Sequence, residues 1–494
     1  MKNTFKIIIA VILISIISSP FSVSHAQDAE YQLIRRTYKV NNDGTVDIRF
    51  RKELKLLRNR AITAYADKGE TFILYNPAID ELTINESYTI RPDGSRVQTP
   101  ANAFIDQLPS QCENCGRYNG IRGRVVVHTA LEYNCIIVLD YTIHRKSNIL
   151  SDNITLTQDC PVKKYEIILD VPNQCHHSVE YTNFEKNPQI INDGHAFHLI
   201  AKNLSQKLID NYLPDNLYPT VSIDCGDSHG LFLFEHENDE VPEANDLLGE
   251  LYDKDQRTYA TNIRDYVVDH IRTINIPEHL VDYRYSTASM TFNSNCGTPS
   301  DKTILLYALL KQAGFTMVDY NDQVCVKIPG TSSNDLNYIL SAKNKNKPRP
   351  DGAAVDEQRS IVINRILDWK GTSISGGYEQ MLLPVENGSI NIDPAMLTSV
   401  RTAPVKLRNC NEKYRYTFTM PAKAKLVKPI KINYSKNGVG CIKVNIKQLE
   451  SGAIEVVREL DINVEDGIVT PKQYKAFRQL MQDWEQYRTI TIKR

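Results

Sequence analysis

Apolar and polar positions alternate over 45–51, where Val46, Ile48 and Phe50 interleave with Asp47, Arg49 and Arg51, the pattern of a half-buried strand. Similar runs occupy 82–90 and 96–99, with Pro92-Asp93-Gly94-Ser95 between them as a turn. The runs 125–129 and 136–143 flank the polar stretch Glu132-Tyr133-Asn134 and predict a hairpin. Further strands are expected at 164–171 and 195–201. So many short strands between turn signals, across 28–210, predict a β-sandwich.

The texture changes after a loop-rich passage near 215–244. Over 245–274 the period becomes helical, with Tyr259, Ile263, Val267 and His270-Ile271 recurring on one face. A second helix is announced by Thr298-Pro299-Ser300-Asp301: a capping threonine, proline at the first helical position and an acid at the third. Its body, 304–310, is apolar nearly all round, so it should be buried on most sides, and Gly314 ends it. Short strands and polar loops such as 343–351 follow. From about 404 the alternation returns: Tyr414, Tyr416, Phe418 and Met420 on one strand, Ile442, Val444 and Ile446 on another. Thr470-Pro471-Lys472-Gln473 is a capping box that opens a helix with Tyr474, Phe477, Leu480 and Trp484 on one face, and 489–492 closes as a strand.

These shifts divide the 494 residues into 1–26, 27–215, 216–403 and 404–494. In the first, Lys2 and Lys6 precede the apolar run 7–17, and Ser24 and Ala26 supply small residues at a cleavage site. This reads as a secretory signal removed before Gln27, with a periplasmic or extracellular mature chain and no transmembrane segment. At 41% hydrophobic and 24% charged residues the composition is that of a globular protein, and a formal net charge of -1 argues against nucleic acid as a partner.

Ten cysteines in an exported chain permit disulfides. Only Cys112 and Cys115 are closely spaced; a local bridge, free thiols and a metal site all remain open for that pair. One such pair is a poor zinc signal, because structural zinc wants four ligands. Cys175-His176-His177 and the pair His195 and His198 have no supporting carboxylates and read as solvated surface, so no metal or other cofactor is expected. From Lys406 onward 18 Lys and Arg stand against 9 Asp and Glu, an excess of nine that is either a binding face or a solvated sheet surface.

The stretch "DKTILLYALLKQAGF" (301–315) is similar to the core helix of transglutaminase-like proteins, whose pattern runs G-x-C-x-D-K, then a Leu- and Ala-rich run, then A-G-hydrophobic. Counted back from Asp301-Lys302, the family's cysteine falls on Pro299, and Cys296 lies about one turn too early. A thiol nucleophile also needs a base and an orienting acid. The family carries these downstream, yet the last of 11 histidines is His279, and "NYILSA" (337–342) has Ser341 where the acid usually stands. The flanks 69–104 and 125–143 resemble an uncharacterised β-sandwich domain that precedes such cores in exported bacterial proteins. The stretches 452–462 and 474–484 resemble the small β domain that follows them.

The resemblance implies an α+β multidomain protein: an N-terminal β-sandwich, a transglutaminase-like α+β core, and a C-terminal β domain with one helix. It further implies a non-catalytic envelope protein that binds a protein or glycan partner, with Cys296 a buried or disulfide-bonded thiol. The alternative is a cysteine-dependent transglutaminase or peptidase with Cys296 as a displaced nucleophile.

Overall fold

The computed structural model describes residues 28–66, 72–147, 149–172, 175–192, 196–208, 210, 212–214, 217–225, 235–318, 324–328, 336–343, 349–350, 358–384, 397–399, 401–407, 409–436 and 438–494. The expected signal segment, 1–26, lies outside the described residues, as does most of the loop 343–351.

The first part is built on an eight-stranded sheet whose order runs Gln189–Asn192, Ala196–Leu204, Val162–Asp170, Ala29–Val40, Val46–Leu56, Ile136–Arg145, Asp80–Ile90, Arg96–Gln98. All pairs are antiparallel except Ala29–Val40 with Val162–Asp170. A three-stranded sheet (His177–Thr182, Thr220–Cys225, Leu150–Thr155) shares its core, with Ile34, Leu54, Ile137 and Leu169 packed in one cluster with Ile154, Val221 and Ile223. The turn at Pro92-Asp93-Gly94-Ser95 forms as expected, with Gly94 at a φ of 85°.

One expected hairpin does not form. Strand Arg122–Val126 pairs with Phe72–Tyr75 and Phe104–Gln107 in a separate three-stranded sheet, while Ile136–Arg145 joins the large one. Both runs are apolar enough for either sheet, so the polar turn between them does not decide their partners. Tertiary packing does.

Helix α1 (Asn59–Ala66) belongs to this part. The middle of the chain holds α2 (Asn245–Leu251), α3 (Gln256–His270), α4 (Ala288–Ser294) and α5 (Pro299–Gln312), followed by short antiparallel strands at Thr316–Val318, Val324–Ile328, Leu336–Leu340 and Arg349–Pro350. Ile304, Leu305, Leu306, Ala308, Leu309 and Leu310 of α5 are all buried, so this helix is the core of the unit rather than its surface. In α3 the face Tyr259, Ile263 and Val267 is buried, but His270 is exposed, because the helix ends there and Ile271 turns inward instead.

The last part carries a five-stranded sheet in the order Gln358–Asp368, Asn409–Thr419, Ile454–Ile462, Gly440–Gln448, Ile430–Lys436. A four-stranded sheet combines Thr372–Ile374, Tyr378–Leu382, Thr489–Lys493 and Lys425–Leu426. Helix α6 (Pro471–Gln486) opens with the expected capping box and buries Tyr474, Phe477, Leu480 and Trp484 against this core. The strands between 358 and 382 therefore enter these sheets before residue 404, where the sequence texture changes. Gln358–Asp368 joins by a parallel pairing with Asn409–Thr419, a long-range contact that leaves no local mark in the sequence.

Candidate functional site

The candidate residues Cys296 and Pro299 lie at the N-terminus of α5. Helix α4 ends at Asn295 in the left-handed region, φ 50°, and the chain makes a two-residue parallel bridge in which Cys296 and Gly297 pair with Arg272 and Thr273. Gly297 has no room for a side chain: a Cβ would stand 2.8 Å from the Asp301 Cβ and 3.0 Å from the Thr291 Cγ2. Thr298 then caps α5, its Oγ1 accepting from the Asp301 amide at 3.2 Å, and Pro299 takes the first helical position, where no N–H is needed.

Asp301 is more than a capping acid. Its Oδ2 accepts from the Thr298 amide at 2.8 Å and from the Tyr118 hydroxyl, and its Oδ1 accepts from the Ser286 amide at 2.6 Å. Aspartate and tyrosine are both buried. Buried carboxylates persist when each oxygen is hydrogen-bonded, and the positive end of the helix favours the charge further. Burial and the neighbouring carboxylate push the Tyr118 phenol well above its ordinary value, so it stays a donor. Next to it, the Ser300 hydroxyl donates to Glu278 Oε1, and Tyr285 donates to Oε2 of the same carboxylate at 2.9 Å.

Lys302 points the other way. It is 2% exposed, and its Nζ donates to the carbonyls of Ile271 (2.7 Å) and Val268 (3.4 Å) and to Thr273 Oγ1 (3.2 Å). The ammonium thus sits on the last carbonyls of α3, where the helix dipole welcomes a cation. Burial lowers its pKa. The Asp-Lys pair that carries the family resemblance is therefore structural on both sides: one residue holds the start of α5, the other the end of α3.

Cys296 is not a free thiol. It is bonded to Cys115, 181 residues earlier. Of the openings left for Cys112 and Cys115, the local bridge is not the one formed: Cys112 is a buried free thiol, and Cys115 reaches across to the segment before α5. The short turns Ser110–Cys112 and Gly116–Tyr118 place Cys112, Cys115 and Tyr118 together on this segment, and they pack with Ile274, Leu280 and Cys296 in one cluster.

Pro299 is half-buried at the helix start. Ser341 follows the strand Leu336–Leu340, and its Oγ accepts from the Lys343 amide at 3.2 Å. The two histidines nearest in sequence are engaged elsewhere. His270 Nδ1 faces the Tyr266 carbonyl at 3.2 Å, and its ring stacks on Tyr266 at 4.6 Å. His279 is held neutral, its pKa lowered to about 4 by burial and by the nearby Arg145 and Arg36, against the opposing charge of Asp152. The arrangement can anchor a helix and couple two parts of the chain. What sequence reasoning did not find is Tyr118, because nothing local distinguishes it from the other 25 tyrosines.

Two cations of the basic excess near the C-terminus are paired across strands. Lys443 and Lys447 project from the face opposite Ile442, Val444 and Ile446, and their Nζ atoms lie 3.4 Å from Glu459 and 3.1 Å from Glu455 on the adjacent strand.

Comparison with known proteins agrees with this architecture. Residues 42–203 match a domain of unknown function, DUF3857, and residues 380–492 match a second one, DUF3858; both are families with solved structures. The flanking stretches 69–104, 125–143, 452–462 and 474–484 fall within these matches. No curated protein matches the chain. The fold is similar to the crystal structure of a "putative protease" from Parabacteroides distasonis ATCC 8503, with a TM-score of 0.70 over 94% of this chain and 99% of that one. Sequence identity is 23%, so this likeness shows the fold alone: a multidomain α+β chain in which two uncharacterised domains flank a helical middle.

Proposed function

We propose that this chain is an exported, non-catalytic protein of the cell envelope. In this reading 1–26 is a signal, followed by a β-sandwich domain that takes in the strand Thr220–Cys225, a degenerate transglutaminase-like core, and a C-terminal β domain that takes in the strands from Gln358 onward rather than from 404, and the assembly binds a protein or glycan partner. One observation carries the reading. Pro299 stands where the family's nucleophile falls, and Cys296, the nearest sulfur, is consumed in a bridge to Cys115. A proline offers no nucleophile, and a sulfur in a disulfide is not a thiolate. Asp301, Tyr118 and Glu278 are spent on fastening the helix start.

A second reading draws on the relative described as a protease: a cysteine peptidase or transglutaminase using Cys296. It needs the bridge opened and an imidazole supplied.

The two readings separate by assay. The purified protein is tested for transamidation, deamidation and peptidase turnover beside Cys296→Ala, with and without a thiol reductant. Equal background in both is expected, and reductant-activated turnover lost in Cys296→Ala would overturn the non-catalytic reading. Pro299→Cys is expected to gain an alkylatable thiol without turnover, since a helix N-terminus activates a thiol but supplies no base. Export is read separately from the intact mass: a mature chain beginning at Gln27 is expected, and a protein that retains Met1 contradicts it.

A further inference from the structure

Cys112, Cys115 and Cys296 meet in one buried cluster under Ile121, Ile274 and Leu280. Two of the three are bonded and the third is free, standing three residues from its bonded neighbour. The spacing of Cys112 and Cys115 is the one that closes local disulfides in dithiol motifs. Arg272 binds the free thiol's surroundings to the bridge. Its guanidinium donates to the carbonyls of Gln111 (3.4 Å) and Glu113, on either side of Cys112, and its backbone pairs with Cys296.

We infer that Cys112, Cys115 and Cys296 form an internal thiol–disulfide exchange site, in which Cys112 attacks the Sγ of Cys115 and releases Cys296. Cys112 first gives its proton to water. An S–S bond forms between Cys112 and Cys115 as the Cys115–Cys296 bond breaks, and its electron pair leaves on the Cys296 sulfur, which takes up a proton. Two sulfurs are oxidised and one is reduced before and after, so no external oxidant or reductant enters. Burial holds the Cys112 thiol in its neutral form, and the Arg272 charge works in the opposite direction. The consequence is mechanical as well as chemical. The covalent tie between the Cys112–Tyr118 segment and the approach to α5 opens without net reduction, and Cys296 becomes a free thiol two residues before the helix cap. This inference stands apart from the proposed partner-binding role: it concerns which bridge is closed, whatever the chain binds.

The full chain, purified without reductant, is incubated near pH 8 in buffer and in urea below the unfolding transition. Samples are quenched in acid, unfolded, blocked with N-ethylmaleimide, digested and mapped by mass spectrometry. Two isomers are expected in the wild type, Cys115–Cys296 and Cys112–Cys115. The second should grow with urea, because it closes a short ring where the first closes a loop with a sequence separation of 181. Blocked Cys296 should exceed that in Cys112→Ala and Cys112→Ser by about tenfold or more, since those variants lack the attacking thiol. Absence of the Cys112–Cys115 bridge from the wild type at every urea concentration would overturn the inference without recourse to any variant. So would equal blocking of Cys296 in the wild type and both variants, or bridges from Cys296 to other cysteines in place of its release.

Discussion

Tyr118→Phe removes one hydroxyl from the fastening of α5 and leaves the ring in place, so it deletes the donation to Asp301 together with a longer bond accepted from the Thr298 amide at 3.3 Å. The donation runs from a phenol to a buried carboxylate, with tyrosine and aspartate both 1% exposed. Asp301 keeps two donors, the Thr298 and Ser286 amides, at 2.8 and 2.6 Å. Losing one hydrogen bond to a charged group costs about 1.5–3 kcal/mol. Asp301→Asn should cost more. The two amides approach different carboxylate oxygens, and an asparagine side chain offers an acceptor to only one of them. Turned one way, the Ser286 amide loses its acceptor; turned the other, the new NH2 faces the Thr298 amide, which keeps only the longer bond to the Tyr118 hydroxyl at 3.3 Å.

Tryptophan fluorescence is a poor reporter here, because Trp369 and Trp484 both sit in the C-terminal core. Amide hydrogen exchange of the peptide spanning 295–303 reads the site itself. At about 1.4 kcal/mol per decade, Tyr118→Phe should lower protection there by about ten- to a hundredfold, while peptides of the C-terminal sheets stay unchanged. Protection within twofold of wild type in Tyr118→Phe, or an Asp301→Asn variant milder than it, would refute the assignment of Asp301 as the anchor of this helix.

The remaining expectations concern other points of the fold. His128 is 5% exposed with no hydrogen-bond partner among the described residues, and burial together with the nearby Lys52 lowers its pKa to about 3. Its ordinary value is 6.5, so between the two the unfolded chain takes up a proton that the folded chain refuses. Stability is thus present above about pH 6.5 and falls as pH drops toward 3. The urea midpoint should therefore fall between pH 7 and 4.5, and fall less in His128→Leu; parallel losses would contradict this. Gly297→Ala should destabilise by about 1–3 kcal/mol, because the new methyl must displace Asp301 or Thr291, and thermal unfolding checks it. Lys443→Glu with Lys447→Glu should change stability by no more than about 1 kcal/mol per exposed pair. If the face binds an acidic partner, pull-down from envelope extract weakens in this variant and between about 50 and 500 mM salt; unchanged partner lists in all four lanes make it a solvated sheet surface.

Local chemistry made much of this protein legible from the sequence. The capping boxes at Thr298 and Thr470, the turn at Pro92–Ser95 and the alternation through Tyr414–Phe418 all depend on residues within a few positions of one another, so the code for them is local. The same holds for the buried helix α5, whose apolar run has no polar face to turn toward water. Sequence also placed Cys296 outside the helix, one turn before where a nucleophile would gain from the dipole. What it could not assign were partners at long range. Arg122–Val126 and Ile136–Arg145 look like a hairpin and enter different sheets, and Gln358–Asp368 joins a sheet whose next strand begins some forty residues later. Cys115 could have closed on Cys112 and closed instead on Cys296. Tyr118 reached Asp301 across 183 positions. Each of these choices is made by which surfaces are buried together, and burial belongs to the packed chain as a whole. A short window of sequence specifies the periodicity of an element and the caps at its ends, but the free energy that selects its neighbour comes from apolar area and hydrogen bonds contributed by segments far away.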